Sequence, residues 1–315
     1  MPFAKWRIIT PRDPTCRMFS DFKRVHRRRF LQVSGAAACG LVKVTSASAA
    51  EINPLIDTHV YLGDWPNRRL GATAPAALVA LLRQAKVNQA WVGSFDALFH
   101  KDIHSANLRL VKGCRDIGEG MLIPVGAINP TLPDWEEDVR RCHQTFKMPG
   151  IRLHPTYHGY SLDDSRFARL LQLTVGRNLF VQMVVQMIDE RRRLLTPRGP
   201  QLDLAPLTRI TKSIRGLRVL IANGVEAFED VVNSGLAKAP GVYFDFSCVA
   251  DGNDLRKLVR FVSADRVVQG SAAPLFDADT SSTMLEQANL TTNHVNLIRY
   301  KNARRLLSMT EQQPG

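Results

Sequence analysis

The residues able to do proton chemistry recur at a few places along the chain. Asp57-Thr58-His59-Val60-Tyr61 carries a carboxylate, an imidazole and a phenol at alternate positions. In an extended segment alternate residues share a face, so Asp57, His59 and Tyr61 are expected to project together. Arg152-Leu153-His154-Pro155 adds a guanidinium and a second imidazole, with Tyr157 and His158 just beyond. Gln182 with Gln186, Asn223 with Glu226, and Asp245 with Ser247 close later apolar runs. A neutral imidazole near pH 7 is matched to proton transfer, and a carboxylate can hold it in one orientation. His59 and His154 are therefore the candidate acid–base groups, oriented by Asp57 or Asp245.

These residues need a scaffold that brings distant segments to one point. Runs of β-forming residues begin near Leu55, Ala90, Met121, Gly150, Leu179, Leu217, Gly241 and Arg266, at intervals of 24 to 38 residues. Each interval holds one strand and one returning helix, the length a parallel crossover requires. Leu78, Leu81, Leu82 and Ala85 fall at i, i+3, i+4 and i+7, as do Leu255, Leu258, Val259 and Val262. Pro75, Pro133 and Pro206 are placed to open helices. Eight such units predict an α/β fold, a single (β/α)8 TIM barrel, over residues 50–315. A doubly wound sheet would carry a Gly-rich turn after its first strand, and Leu55–Gly63 has none. In a barrel the C-terminal ends of strands meet at one mouth, and the residues above all lie at such ends. The Leu194–Leu204 loop, with Pro197, Gly199 and Pro200, is expected to cover that mouth.

The chain resembles the amidohydrolase superfamily, in its amidohydrolase-related group. The likeness rests on Ile56-Asp57-Thr58-His59, Gly150-Ile151-Arg152-Leu153-His154-Pro155, Asp265-Arg266-Val267-Val268-Gln269-Gly270-Ser271 and Asn302-Ala303-Arg304-Arg305-Leu306-Leu307. The resemblance implies a metal-dependent-hydrolase-like barrel and a divalent metal. Its ligands would be two histidines on strand one, histidines on strands five and six and an aspartate on strand eight. Here only His59 matches. Tyr61 stands for the second histidine, Gln182 and Val184 occupy strand five, Asn223 strand six, and Ala272 the aspartate position. A zinc site needs three or four firm ligands, and neutral amides are poor ones. The expectation is a hydrolase of small carbonyl compounds (lactone, ester or amide) with no metal and no other cofactor. In it Arg152 and Tyr157 would polarise the carbonyl, and Tyr61 and Asn223 would contact substrate. The alternative is an inactive barrel serving as a binding or scaffold protein.

Composition narrows the classes further. The chain has 315 residues, 45% hydrophobic and 23% charged, which excludes a disordered or disulfide-stapled protein. Net charge is +13, but residues 1–50 hold ten Lys/Arg against two Asp, so most of the excess sits there and no nucleic-acid partner is expected. That segment reads as an export signal: Arg27-Arg28-Arg29-Phe30-Leu31, an apolar stretch from Val33 to Val42, then Ser46-Ala47-Ser48-Ala49. The Arg27-Arg28-x-Phe30-Leu31 core resembles a twin-arginine signal, which makes the export machinery a partner and residues 1–49 a removable peptide. Cleavage near Ala49 would give a periplasmic or extracellular product, with translation from Met1 or Met18. No apolar run reaches the ~18 residues of a spanning helix, so no stable membrane insertion is expected. Cys114, Cys142 and Cys248 form no C-x-x-C pair and predict buried thiols.

Overall fold

A computed structural model describes residues 54–66, 69–187, 202–224 and 235–311. The chain divides into two units, Met1–Ala50 and Glu51–Gly315, and the second holds all of these residues. Residues 1–49, most of the Leu194–Leu204 loop and Glu226 lie outside them.

Among the described residues nine strand segments follow one another: β1 (Ile56–Leu62), β2 (Gln89–Ser94), β3 (Leu122–Pro124), β4 (Gly126–Ala127), β5 (Gly150–Leu153), β6 (Phe180–Val184), β7 (Val219–Ala222), β8 (Val242–Asp245) and β9 (Val267–Val268). Every pairing is parallel and joins sequence neighbours, in the orders β1-β2-β3 and β4-β5-β6-β7-β8-β9. β3 and β4 flank Val125, whose N–H donates to Val92 O at 2.8 Å, so the two pieces make one interrupted barrel strand. The circle closes where Thr58 N donates to Gln269 O (2.9 Å), Ala272 N to His59 O (2.7 Å) and Tyr61 N to Ala273 O (2.8 Å). Eight barrel positions result, each starting within two residues of the sequence expectation.

The helices obey local signals. Pro75 opens α1 (Pro75–Gln84), whose Leu78 and Leu82 are buried against the barrel. α2 is a single turn, Asp96–Phe99. Asp102 caps α3 (Ile103–Ile117), accepting from Ser105 N. α4 (Trp135–Arg140) follows Pro133, and α5 (Pro155–His158) starts at the proline after His154. Asp164 caps α6 (Ser165–Val175), and α7 (Ala205–Ser213) has Pro206 in its first turn. Asp251 caps α8 (Gly252–Val262), which buries Leu255, Leu258, Val259 and Val262 together. α9 (Thr280–Gln287), α10 (Thr292–Asn296) and α11 (Asn302–Glu311) complete the ring. Among the described residues no helix is long and apolar enough to cross a membrane.

The barrel interior is layered. At the end where strands begin, Ile56, Trp91, Val125, Phe180, Leu220 and Val268 pack with Ala303 and Leu306 of α11. At the opposite end Tyr61, Phe95, Leu98, Val184, Met187 and Leu275 form an apolar cap, with Trp65, Tyr157 and Phe276 partly buried against it. Between these layers lies a fully buried arginine. Arg152 donates from Nε to Gln182 Oε1 (2.8 Å), and from its terminal nitrogens to Val60 O (2.8 Å) and Trp91 O (3.0 Å). Barrel interiors are usually filled by branched apolar side chains, so a guanidinium here needs room and acceptors. Gly93 supplies the room, since a Cβ there would sit 2.4 Å from an Arg152 terminal nitrogen.

Candidate active site

Four side chains from three strand ends make one hydrogen-bonded chain at the mouth end of the barrel. His59 Nδ1 lies 2.8 Å from Asp245 Oδ2, and His59 Nε2 lies 3.1 Å from the Tyr61 hydroxyl. That hydroxyl is 3.3 Å from His154 Nε2 and 3.2 Å from Met187 Sδ. His59, Tyr61 and Asp245 are all 0% exposed.

The protons can be placed by elimination. The Asp245 carboxylate accepts only, so His59 Nδ1 carries hydrogen. Burial pushes the His59 imidazole below its ordinary value, more strongly than the Asp245 bond raises it, so the ring is neutral and Nε2 is bare. Tyr61 therefore donates to His59 Nε2. Burial holds the phenol well above its ordinary value and keeps that proton on oxygen. His154 is also neutral, pushed far down by burial first and, to a lesser degree, by the nearby His158, Arg152 and His59 side chains. Its Nε2–H points at the Tyr61 oxygen, which leaves Nδ1 as a buried acceptor without a partner.

Neighbours hold this chain still. Asp245 Oδ1 accepts from Asn223 N (3.1 Å) and Ser247 Oγ (2.9 Å). Asn223 adopts φ +50°, a left-handed conformation that asparagine tolerates, and its side chain donates to Gln186 O at 2.8 Å. The Tyr61 ring is clamped between Phe95, stacked at 4.5 Å, and the Arg152 guanidinium, 4.6 Å from the ring centre. Gly270 lets His59 and Asp245 meet, because a Cβ there would come within 2.8 Å of Asp245 Oδ2.

Three sequence expectations change. Asp57 does not join the His59 chain. β1 bulges between Asp57 and Val60, which breaks strict alternation and turns Asp57 to the seam of the barrel. There Asp57 accepts from Ser271 Oγ (2.5 Å), Ser271 N (3.0 Å) and His59 N (3.1 Å). Arg152 lies beneath the Tyr61 ring with each nitrogen engaged, so it offers no free fork to a carbonyl at the mouth. Asn223 is likewise occupied by Asp245, Gln186 and Ser247 and serves as a brace. Tyr157 is half-buried beside Trp65 and Phe99, with its phenol pushed up to about 12 by burial. His158 instead donates from Nε2 to Ala97 O at 2.9 Å. Met187 and Trp65 escaped the sequence reading because apolar types carry no chemical signal. Gly93 was legible as a strand glycine that marks a close approach.

Asp57 gives a measurable pH effect. Burial pushes its carboxyl from 3.8 up to about 6, with the Ser271 hydroxyl opposing. Between these values the folded chain binds more protons than the unfolded one, so stability falls as pH rises through about 4 to 6 and is level above. The loss is about 2–3 kcal/mol. Asp57→Asn keeps an acceptor for both backbone N–H groups and should lack this slope. Urea midpoints for both proteins at pH 4.5, 5.5 and 7.5 test it, and parallel curves would refute the assignment.

An eight-stranded parallel barrel with a polar array at its strand ends defines the class. The family model described as Amidohydrolase matches residues 56–309, and the chain belongs to that family. Solved structures share the fold at low identity. A 5-carboxyvanillate decarboxylase from Sphingomonas paucimobilis is 11% identical, with TM-score 0.63, covering 81% of this chain and 99% of its own. A dihydroxybenzoic acid decarboxylase from Polaromonas sp., solved with manganese and 2-nitroresorcinol, is 12% identical, with TM-score 0.65, covering 82% and 98%. An IDCase from Metarhizium anisopliae in apo form is 13% identical, with TM-score 0.62, covering 82% and 98%. No curated protein matches the chain by sequence.

The donors do not fit the divalent ion such a family implies. Among the described residues no group of three or more His, Cys, Asp or Glu side chains is placed to share an ion. Gln182 is spent on Arg152 and on Thr58 O. Ala272 presents a buried methyl group at the strand-eight position. Both nitrogens of His59 face partners of its own chain.

Proposed function

We propose that this amidohydrolase-family protein hydrolyses a small lactone, ester or amide without the ion its family implies. The observation that carries the reading is the Asp245–His59–Tyr61–His154 array, which ends in the bare, unpartnered Nδ1 of His154. Water at that nitrogen gives up a proton as its oxygen attacks the carbonyl carbon. His154 takes the proton at Nδ1 and passes its Nε2 proton to the Tyr61 oxygen, and Tyr61 passes its own to His59 Nε2. The positive charge then rests on His59, paired with Asp245, and the proton returns along the same path to the leaving group. The Tyr157 hydroxyl, protonated at neutral pH, is the donor for the developing oxyanion.

The second reading is a binding or scaffold barrel, favoured by the complete burial of His59, Tyr61 and Asp245 under an apolar cap. A panel of lactones, esters, amides and hydroxybenzoates, assayed with and without chelator, separates the readings. Turnover of a lactone, ester or amide, insensitive to chelator, is the expected result. Release of carbon dioxide from a hydroxybenzoate would replace hydrolysis by carbon–carbon lysis. Loss with chelator and rescue by manganese would restore metal chemistry. No turnover at all would leave the binding protein.

The chain is also proposed to be exported, on the strength of Arg27-Arg28-x-Phe30-Leu31. Replacing both Arg27 and Arg28 by lysine should hold the precursor in the cytoplasm. Fractionation showing equal export of both forms would exclude the twin-arginine route.

A further inference from the structure

The end of the barrel where strands begin, opposite the mouth, is strongly basic. The five segments that lead into β5 to β9, together with residues 297–308, hold eleven lysines and arginines against one carboxylate, Asp265. In a parallel barrel all these segments lie at one end. The last helical stretch lies across that end: Ala303 and Leu306 pack inward on Ile56, Trp91 and Phe180, while Lys301 and Arg304 are exposed. Lys147, Lys212, Arg215 and Lys238 are exposed there as well. None of these six side chains makes an ion pair with a described residue, and Glu119, at the same end, is already paired with Arg83. Cations are favoured at helix C-termini, which accounts for Lys212 in the last turn of α7. That effect does not account for Lys301 and Arg304, which lie mid-way in helical structure running unbroken from Thr292 to Glu311. At the opposite end the carboxylates of Asp102, Asp164 and Asp251 cap helix starts.

We propose that the strand-start end of the barrel docks on an anionic phospholipid bilayer through Lys147, Lys212, Arg215, Lys238, Lys301 and Arg304. Their charges come from four separate segments spread across one end, which matches the diffuse charge of a headgroup surface. Nucleic acid is the poorer match, because bases stack on open aromatic faces. At this end Tyr243 and Tyr300 lie under the Arg305 and Arg304 guanidinium groups, 5.6 and 5.1 Å from the ring centres. Docking in this sense leaves the mouth turned to solvent. The proposal rests on neither hydrolysis nor export.

The test is co-sedimentation of the full chain with vesicles of phosphatidylcholine containing a third phosphatidylglycerol, and with phosphatidylcholine alone. Binding is expected to the anionic vesicles only, and should be lost between about 0.05 and 0.5 M salt as the Debye length shrinks. One basic side chain near such a surface is worth about fivefold in affinity, so Lys238→Glu with Arg304→Glu should weaken binding at least tenfold. Arg69→Glu with Lys101→Glu, both exposed on the mouth side, removes the same charge and should change affinity less than threefold. Residues 1–50 are identical in all three chains, so the contrast between the two pairs reads this face. Equal losses in both pairs would show that net charge alone governs binding and would overturn the proposal, as would equal binding to both vesicles or to neither. Tighter binding of a DNA duplex, lost in the strand-start pair, would replace lipid by nucleic acid and also overturn it. If the Glu pair does not fold, Lys238→Gln with Arg304→Gln decides. A loss of at least fivefold is expected there, and an affinity within twofold of wild type overturns the proposal.

Discussion

His154→Asn should lower kcat/KM on a hydrolysed lactone, ester or amide by about 10²- to 10⁴-fold, the usual worth of a positioned acid–base group. Its melting midpoint should stay close to that of wild type. The reason lies in its contacts. Nδ1 has no partner to lose, and Nε2 makes one long contact of 3.3 Å with Tyr61. His59→Asn should behave differently. It removes the partner of the buried Asp245 carboxylate, so it should cost both activity and stability, the latter about 1–3 kcal/mol or more. Tyr61→Phe breaks the array at its middle while keeping the stack on Phe95, and should share the kinetic loss of His154→Asn. Activity and melting measured on the same samples decide the matter. Full turnover per folded molecule in His154→Asn would remove this histidine from the chemistry.

Arg152→Met should destabilise the fold by about 3–5 kcal/mol, the range for breaking a buried charged network. The side chain is 0% exposed and satisfies Val60 O, Trp91 O and Gln182 Oε1. Methionine fills similar space but leaves those acceptors unpaired and removes a positive charge that lies near Asp245 and Asp57. Lysine is no remedy, because one ammonium cannot reproduce a planar fork reaching three strands. Urea unfolding gives the number, and a loss below 1 kcal/mol would show the arginine to be dispensable. Gly93→Ala offers an internal check. Its Cβ would strike the guanidinium, so its cost should shrink in the Arg152→Met background, a coupling that a double-mutant cycle reads directly.

Much of the fold was legible in the residue order because its signals are local. Each strand–helix repeat announces itself through β-forming runs, apolar residues at helical spacing, and Pro or Asp at helix starts. The strand starts near Leu55, Gly150 and Arg266 needed no knowledge of what they pair with, and in the structure they fall at Ile56, Gly150 and Val267. Barrel closure then follows from the number and spacing of the units. The residue types also placed His59, Tyr61 and His154 at strand ends, and hence at one mouth.

What joins them could not be read from the order, because it depends on contacts between residues far apart in the chain. Asp57 is two positions from His59 and looks like its partner, yet one bulge in β1 turns it to Ser271, 214 positions away. Asp245, 186 positions from His59, takes its place because Gly270 leaves the gap between them open. Arg152 reads as a cation for substrate, and only the packed barrel shows its fork bonded to three other strands beneath Tyr61. Met187 carries no chemical signal of its own, and only the packed barrel shows its sulfur 3.2 Å from the Tyr61 oxygen. Local sequence thus determined which elements form and which reactive groups stand at their ends. Tertiary packing, acting through van der Waals space and the need to pair buried polar atoms, decided which of those groups meet.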